Sequence, residues 1–294
     1  MEPPLQFGNR AFVGRADERG RVIVIDSPRE FDRSLVPIDV ARDVLVHGAY
    51  VAAPVAVSLL RRGLRGFIGV DAGIGRNESG IGGLAVTDGT GTPAAAVSVY
   101  SCAMCDGRSV WQDGVVSRVN AAAAALGAEP GQSTEIAAGL LLGATDGHPR
   151  DVASPLPDAP VLLHENPVGG RIWGCWSMSL IHGAHTDDVF CVGTPVDTTM
   201  TVYMYRHGVH PAGVIGSDGG YGRDQMAIAG LGILEGMGIA CAAVSHLSAD
   251  LGDGASIWRD GRITRANAVA RAAGVAAGMA ATAAADALLR RAHA

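Results

Sequence analysis

Apolar and polar positions follow one order along the chain, and they follow it twice. AFVGRADERGRVIVI, ending at Ile25, reads as two alternating strands about a polar turn, and PVLLHENPVGGRIWGC, ending at Cys175, reads the same way. Short apolar runs at Asp43 to Val46 and Asp188 to Val192 predict the next strand. A loop then opens at Gly48 or Gly193, and a helical segment runs to Arg62 or Arg206. The runs Gly66 to Val70 and Ala212 to Gly216 predict strands that end in loops headed by Asp71 and Asp218. A helix faced with Gly and Ala leads on to strands at Ala94 to Val97 and Ala240 to Val244. Beyond a polar loop, an Ala-rich helix is expected from about Val115 and again from Ile263. Ser133 with Glu135 starts one more helix, over Glu135 to Gly143.

Displacing the chain by 147 positions lays the second order on the first without a gap over a long block. DAGIGRNESGIGGL from Asp71 falls on DGGYGRDQMAIAGL from Asp218, and AAVSVYSCAMCDGRSVWQDG from Ala95 falls on AAVSHLSADLGDGASIWRDG from Ala242. From Asp71 to Gly127, 26 of 57 positions are identical, too many for unrelated segments. Upstream, GRVIVIDS from Gly20 pairs loosely with GRIWGCWS from Gly170, and DVLVHG from Asp43 with DVFCVG from Asp188. The expected organisation is two tandem α/β units, 1–148 and 149–294, joined through the Pro/Asp/Gly-rich stretch Asp146 to Pro160. Strand, loop, helix and strand at this spacing imply parallel crossovers and mostly parallel sheets, with functional loops at the carboxyl ends of the strands. A pseudo-twofold relation between the units is the expected arrangement; one continuous sheet across both is the alternative.

Composition narrows the chemistry. Apolar residues make up 48% of the chain, charged residues 18%, and the net charge is −6. No basic stripe with interleaved aromatics is present, which argues against nucleic acid as a partner. MEPPLQFGNR has no apolar core of a secretory signal. The apolar tail from Ile263 carries Arg271, Asp286, Arg290 and Arg291, so packed helices are expected there rather than a membrane span. Five cysteines, an odd number, fit reduced thiols and a cytoplasmic location better than a disulfide framework. All 23 basic residues are arginine. Without lysine there is no Schiff-base chemistry and no lysine-bearing phosphate loop, and arginine must supply every permanent cation.

Two motifs recur at strand ends. Asp71-Ala-Gly73-Ile-Gly75-Arg76 and Asp218-Gly-Gly220-Tyr-Gly222-Arg223 pair glycines that admit a close ligand with a bidentate cation. The plain alternative is a tight turn whose aspartate ties the loop and pairs with the arginine. The second motif sets Ser98, Tyr100, Ser101 and Asp106 in the first repeat against Ser245, His246, Ser248, Asp250 and Asp253 in the second. A histidine among hydroxyls and carboxylates is an acid–base set, because imidazole titrates near neutrality. The bland reading is a capped strand end whose Ser and Asp bond the local backbone. Cys102-Ala-Met-Cys105 is half of a zinc-binding set with no second pair downstream, and buried inert thiols are the simpler reading. His182-Gly-Ala-His185 reads as polar loop, Trp111 and Trp258 as core anchors, and Asn120 and Asn267 as helix caps or cross-links between the halves.

These residues point to a cofactor-independent enzyme acting on a small polar, anionic metabolite, of hydrolase or lyase/isomerase type. His246 with Asp218, Asp250, Asp253 and Ser248 would move protons, while Arg223, Gly220, Gly222 and Ser245 hold the substrate. In the first repeat Asp71, Gly73, Gly75, Arg76, Ser98, Tyr100, Ser101 and Asp106 would hold it. No metal, cofactor or membrane is called for, and self-association stays open. A non-catalytic binding or sensory protein using the same loops is the first alternative, and a metal-dependent hydrolase built on Cys102 and Cys105 the second.

Overall fold

The computed structural model describes residues 11–28, 31, 34, 36–167 and 169–293; the segment MEPPLQFGNR, on which the reading of a missing signal rests, lies outside them. The first repeat begins with the hairpin β1 (Phe12–Asp17) and β2 (Gly20–Ile25), followed by β3 (Val44–Tyr50), α1 (Ala53–Arg62), β4 (Gly66–Val70), α2 (Gly83–Asp88) and β5 (Ala94–Val97). It ends with α3 (Gly107–Asp113), β6 (Val116–Val119), α4 (Ala121–Ala125) and α5 (Thr134–Leu141). The second repeat runs through the same series: β7 (Val161–Glu165), β8 (Arg171–Cys175), β9 (Val189–Pro195), α6 (Thr198–His207), β10 (Gly213–Ser217) and α7 (Gly230–Gly236). Then come β11 (Ala240–Val244), α8 (Gly254–Asp260), β12 (Ile263–Ala266), α9 (Ala268–Ala272) and α10 (Ala281–Ala292).

The fold is α/β with two six-stranded sheets, one for each repeat, in which neighbours in sequence are neighbours in space. Among the described residues no strand of one repeat joins the sheet of the other, so they form two sheets and not one continuous sheet. In the first sheet β2 to β5 run parallel, while β1 and β6 close the edges antiparallel; β8 to β11, flanked by β7 and β12, repeat this. The central strands are buried throughout, as GFIGV and GVIGS show, because helices cover both faces of a parallel sheet. In the second unit Val214, Phe190 and Cys241 turn to one core, and Ile215, Cys191 and Ala242 to the other, following the two-residue period of a strand.

Local signals set the helices. Pro54 sits in the first turn of α1, and Gly63, left-handed at φ 86°, ends it. Asp197 caps α6 by accepting from the Met200 amide, and Gly208 ends it at φ 62°. The Ala-rich helices predicted from Val115 and Ile263 are corrected: those residues lead into edge strands, and the helices start only at Ala121 and Ala268. β-branched residues in VVSRV and RITRA favour pairing with β5 and β11, and Asn120 and Asn267 then cap the short helices. Each Asn side chain also accepts from and donates to the strand beside it in its own repeat, through Ala94 and Thr92, or Cys241 and Ile239.

The described residues form two compact units, and the chain passes from one to the other between Pro155 and Leu156. Two short stretches are exceptions. Ile74–Ser79 belongs to the second unit, and Gly222–Asp224 to the first. Among the described residues no helix is long and apolar enough to cross a membrane.

Candidate acid–base site

The loop after β4 or β10 is built from consecutive left-handed residues. Ala72, Gly73, Ile74 and Gly75 have φ of 47°, 74°, 66° and 76°, and Gly219, Gly220, Tyr221 and Gly222 have 52°, 72°, 63° and 66°. Chains of L-residues avoid this region, and glycine removes the Cβ clash at two of the four positions in the first loop and at three of the four in the second. The aspartate heading the loop pins it. Asp71 Oδ1 accepts from the amides of Gly73 (3.0 Å) and Val99 (3.0 Å). Asp218 Oδ1 accepts from the matching amides of Gly220 (3.1 Å) and His246 (2.9 Å). Both carboxylates are buried. Their shared role is therefore to join two loops at neighbouring strand ends.

The second repeat adds a histidine and a threonine to that scaffold. His246 Nδ1 lies 2.8 Å from Asp218 Oδ1, and the hydroxyl of Thr264 donates to Asp218 Oδ2 at 3.1 Å. The imidazole side chain is 13% exposed and the aspartate 2%. Burial alone would raise the Asp218 pKa, but N–H donation from the His246 ring and backbone and from Gly220 outweighs it and holds the carboxyl below its ordinary range. A carboxylate accepting at Nδ1 fixes the tautomer that leaves Nε2 as the basic nitrogen, and Nε2 has no hydrogen-bond partner among the described residues. Val99, fully buried, stands at the place of His246 in the first repeat.

The remaining predicted residues divide by unit. In the second, Ser245 Oγ accepts from the Leu247 amide, and Ser248 Oγ donates to the Ser245 carbonyl and accepts from the Arg262 amide. Asp253 caps α8 through the amides of Ala255 and Ser256. Arg76, in the stretch counted with this unit, donates its backbone N–H to the His246 carbonyl (2.8 Å). Its Nη1 reaches the Ser248 carbonyl (2.9 Å) and Asp260 (3.0 Å), and its Nε lies 3.7 Å from Asp250. Asp250 also accepts from the Asn77 side chain.

In the first unit Ser98 Oγ accepts from the Tyr100 amide, Ser101 Oγ donates to the Ser98 carbonyl, and Asp106 caps α3 through the Ser109 amide. Tyr100 stands exposed at the loop tip. Arg223, counted with this unit, holds the Ser101 carbonyl (2.9 Å) and Asp113 (3.0 Å). Within the second unit, the arginine that lies against the His246 loop is thus Arg76.

Cys102 and Cys105 are both buried, and burial pushes the Cys102 thiol up to about 12, far from an activated thiolate. Among the described residues no group of three or more His, Cys, Asp or Glu is placed to hold a metal ion. His185 bonds Asp188 and the His182 carbonyl within a polar loop. A cleft of about 220 Å³ on the second unit is lined by Val161, Cys175, Trp176, Asp253 and Gly254 among others, but by none of Asp218, His246 and Thr264. Thr264 was missed in the sequence although a signal existed: it matches Ser117, a hydroxyl at the same place in the other repeat. Set against family models, curated proteins and solved structures, the chain matches none.

Proposed function

We propose that this chain is a cofactor-independent enzyme that moves protons on a small polar metabolite, in a hydrolysis or a lyase/isomerase step, with His246 as its acid–base group. The observation that carries this reading is the 2.8 Å bond between His246 Nδ1 and the buried Asp218 carboxylate. That bond orients the ring, and the negative charge beside it stabilises the imidazolium formed when Nε2 takes a proton. In hydrolysis the proton comes from a water whose oxygen attacks a carbonyl carbon, and Nε2 returns it to the leaving group. In the lyase/isomerase case it comes from a carbon beside a carbonyl and the electron pair moves toward that oxygen; an isomerase then returns the proton at a second atom, whereas in a lyase the pair moves back to expel a group from the next carbon, breaking that bond, and Nε2 protonates the departing group. The chemistry needs only a carbonyl-bearing substrate within reach of Nε2.

Arg76 is the substrate anchor that this unit offers, since its Nη2 has no hydrogen-bond partner among the described residues. Asp250 and Asp260 already balance its charge, so the group suits a neutral polar substrate as well as a carboxylate. The test is incubation of the full chain with a mixture of small metabolites, followed by mass spectrometry. A compound should disappear with the native protein, and His246→Gln, shown by circular dichroism to be folded, should slow that loss about 10²- to 10⁴-fold. Unchanged turnover in the variant overturns the assignment. A compound that raises the melting temperature yet is never consumed would support the binding-protein alternative instead.

A further inference from the structure

We propose that Thr264 is a positioning residue for the Asp218–His246 pair, an inference that rests on the acid–base reading above. β12 pairs with β11 through Arg265 opposite Ala243 and Ile263 opposite Val244, which leaves Thr264 as the extra residue of a β-bulge. A bulge turns a side chain away from the regular alternation, and this one brings the Thr264 hydroxyl to two acceptors at once: the Ala243 carbonyl (3.2 Å) and Asp218 Oδ2 (3.1 Å). The first repeat holds the same bulge. Arg118 stands opposite Ala96 and Val116 opposite Val97, with Ser117 between them. There the hydroxyl donates to the Ala96 carbonyl at 3.2 Å and makes no bond to Asp71. The bulge is thus common to both repeats, whereas the hydroxyl-to-carboxylate bond occurs only where a histidine joins the aspartate.

Its effect follows from the distribution of donors. Asp218 Oδ1 receives the Gly220 amide, the His246 amide and His246 Nδ1, while Oδ2 receives Thr264 alone from a side chain. A carboxylate held at one oxygen can rotate about its terminal torsion, which is broad and two-fold. A second tether at Oδ2 fixes the plane and keeps Oδ1 on the imidazole. The β-branched threonine, stiffer at χ1 than serine, favours a single placement of that hydroxyl.

The discriminating comparison is Thr264→Val, which removes the hydroxyl and keeps the shape, against Thr264→Ser, which keeps the hydroxyl. In full-length protein labelled with ¹⁵N at histidine, the Nδ1 proton of His246 should give a downfield resonance that weakens or moves upfield in Thr264→Val and persists in Thr264→Ser. On whichever substrate the metabolite screen finds, Thr264→Val should lower kcat about three- to tenfold with KM little changed, and Thr264→Ser should restore it. A Thr264→Val protein whose Nδ1 resonance matches the native one overturns the proposal. The two readings fail separately: if His246→Gln leaves turnover intact while Thr264→Val still moves the Nδ1 resonance, the enzymatic reading falls and the positioning role stands.

Discussion

His47 is the residue most at odds with its surroundings. It lies in β3 opposite Ile25, fully buried, with neither ring nitrogen in a hydrogen bond among the described residues, and its ring stacks on Phe67 at 5.9 Å. Burial pushes its pKa down to about 3, the nearby Ala49 carbonyl pulling weakly the other way. Because the folded value lies below the ordinary one near 6.5, the unfolded chain binds the extra proton first as pH falls. Stability tied to His47 is therefore complete above about pH 6.5 and drains away between there and pH 3. Val192 stands in the same register opposite Cys175 in β9, so the second repeat supplies the substitution to make. His47→Val should abolish a loss of about 2 kcal/mol between pH 7 and pH 5 that the native chain shows in urea denaturation. Parallel pH profiles for the two proteins would mean that another group titrates.

Among the elements, the left-handed loops carry the most specific sequence requirement. A Cβ at Gly75, where φ is 76°, would stand 2.7 Å from Leu251 Cδ1 and 3.2 Å from the His246 carbonyl; one at Gly222 would stand 2.6 Å from Val99 Cγ2. Gly75→Ala and Gly222→Ala should each cost about 1–3 kcal/mol in urea denaturation. Gly232→Ala is the control: it lies within α7 with nothing inside 4 Å of an added Cβ, and it should stabilise by about 0.5–1 kcal/mol. Equal effects at the three positions would show that backbone conformation is not the cause. The motif announced this loop in the sequence because glycine at every second position has few other uses. β6 and β12 were not legible, because four residues before a run of alanine give too short an alternation to outweigh helix propensity. The helices α3 and α8 hid inside what read as polar loops, although Asp106 and Asp253 followed by Gly mark their caps.

For the molecule as a whole, the duplication was readable because both copies kept the residues that tie strand ends together, Asp71 with Asp218 and Asn120 with Asn267. The placement of Arg76 and Arg223 was not readable, since no periodicity records which unit a loop joins. Nor could spacing separate an aspartate that only braces a loop from one that also holds a histidine. The two copies make that separation measurable. Asp71→Asn and Asp218→Asn each replace a buried carboxylate that accepts two matching amides, so each should lose about 1–3 kcal/mol of stability. Catalysis should divide them: Asp218→Asn should lower kcat about 10²- to 10⁴-fold because His246 loses its anionic partner, while Asp71→Asn should change it less than about threefold. The measurements are urea denaturation and steady-state kinetics on the substrate from the metabolite screen, with both variants assayed below their melting temperatures. Two variants equally unstable and equally slow would make both aspartates braces and nothing more, whereas equal instability with unequal rates assigns the proton chemistry to the second repeat.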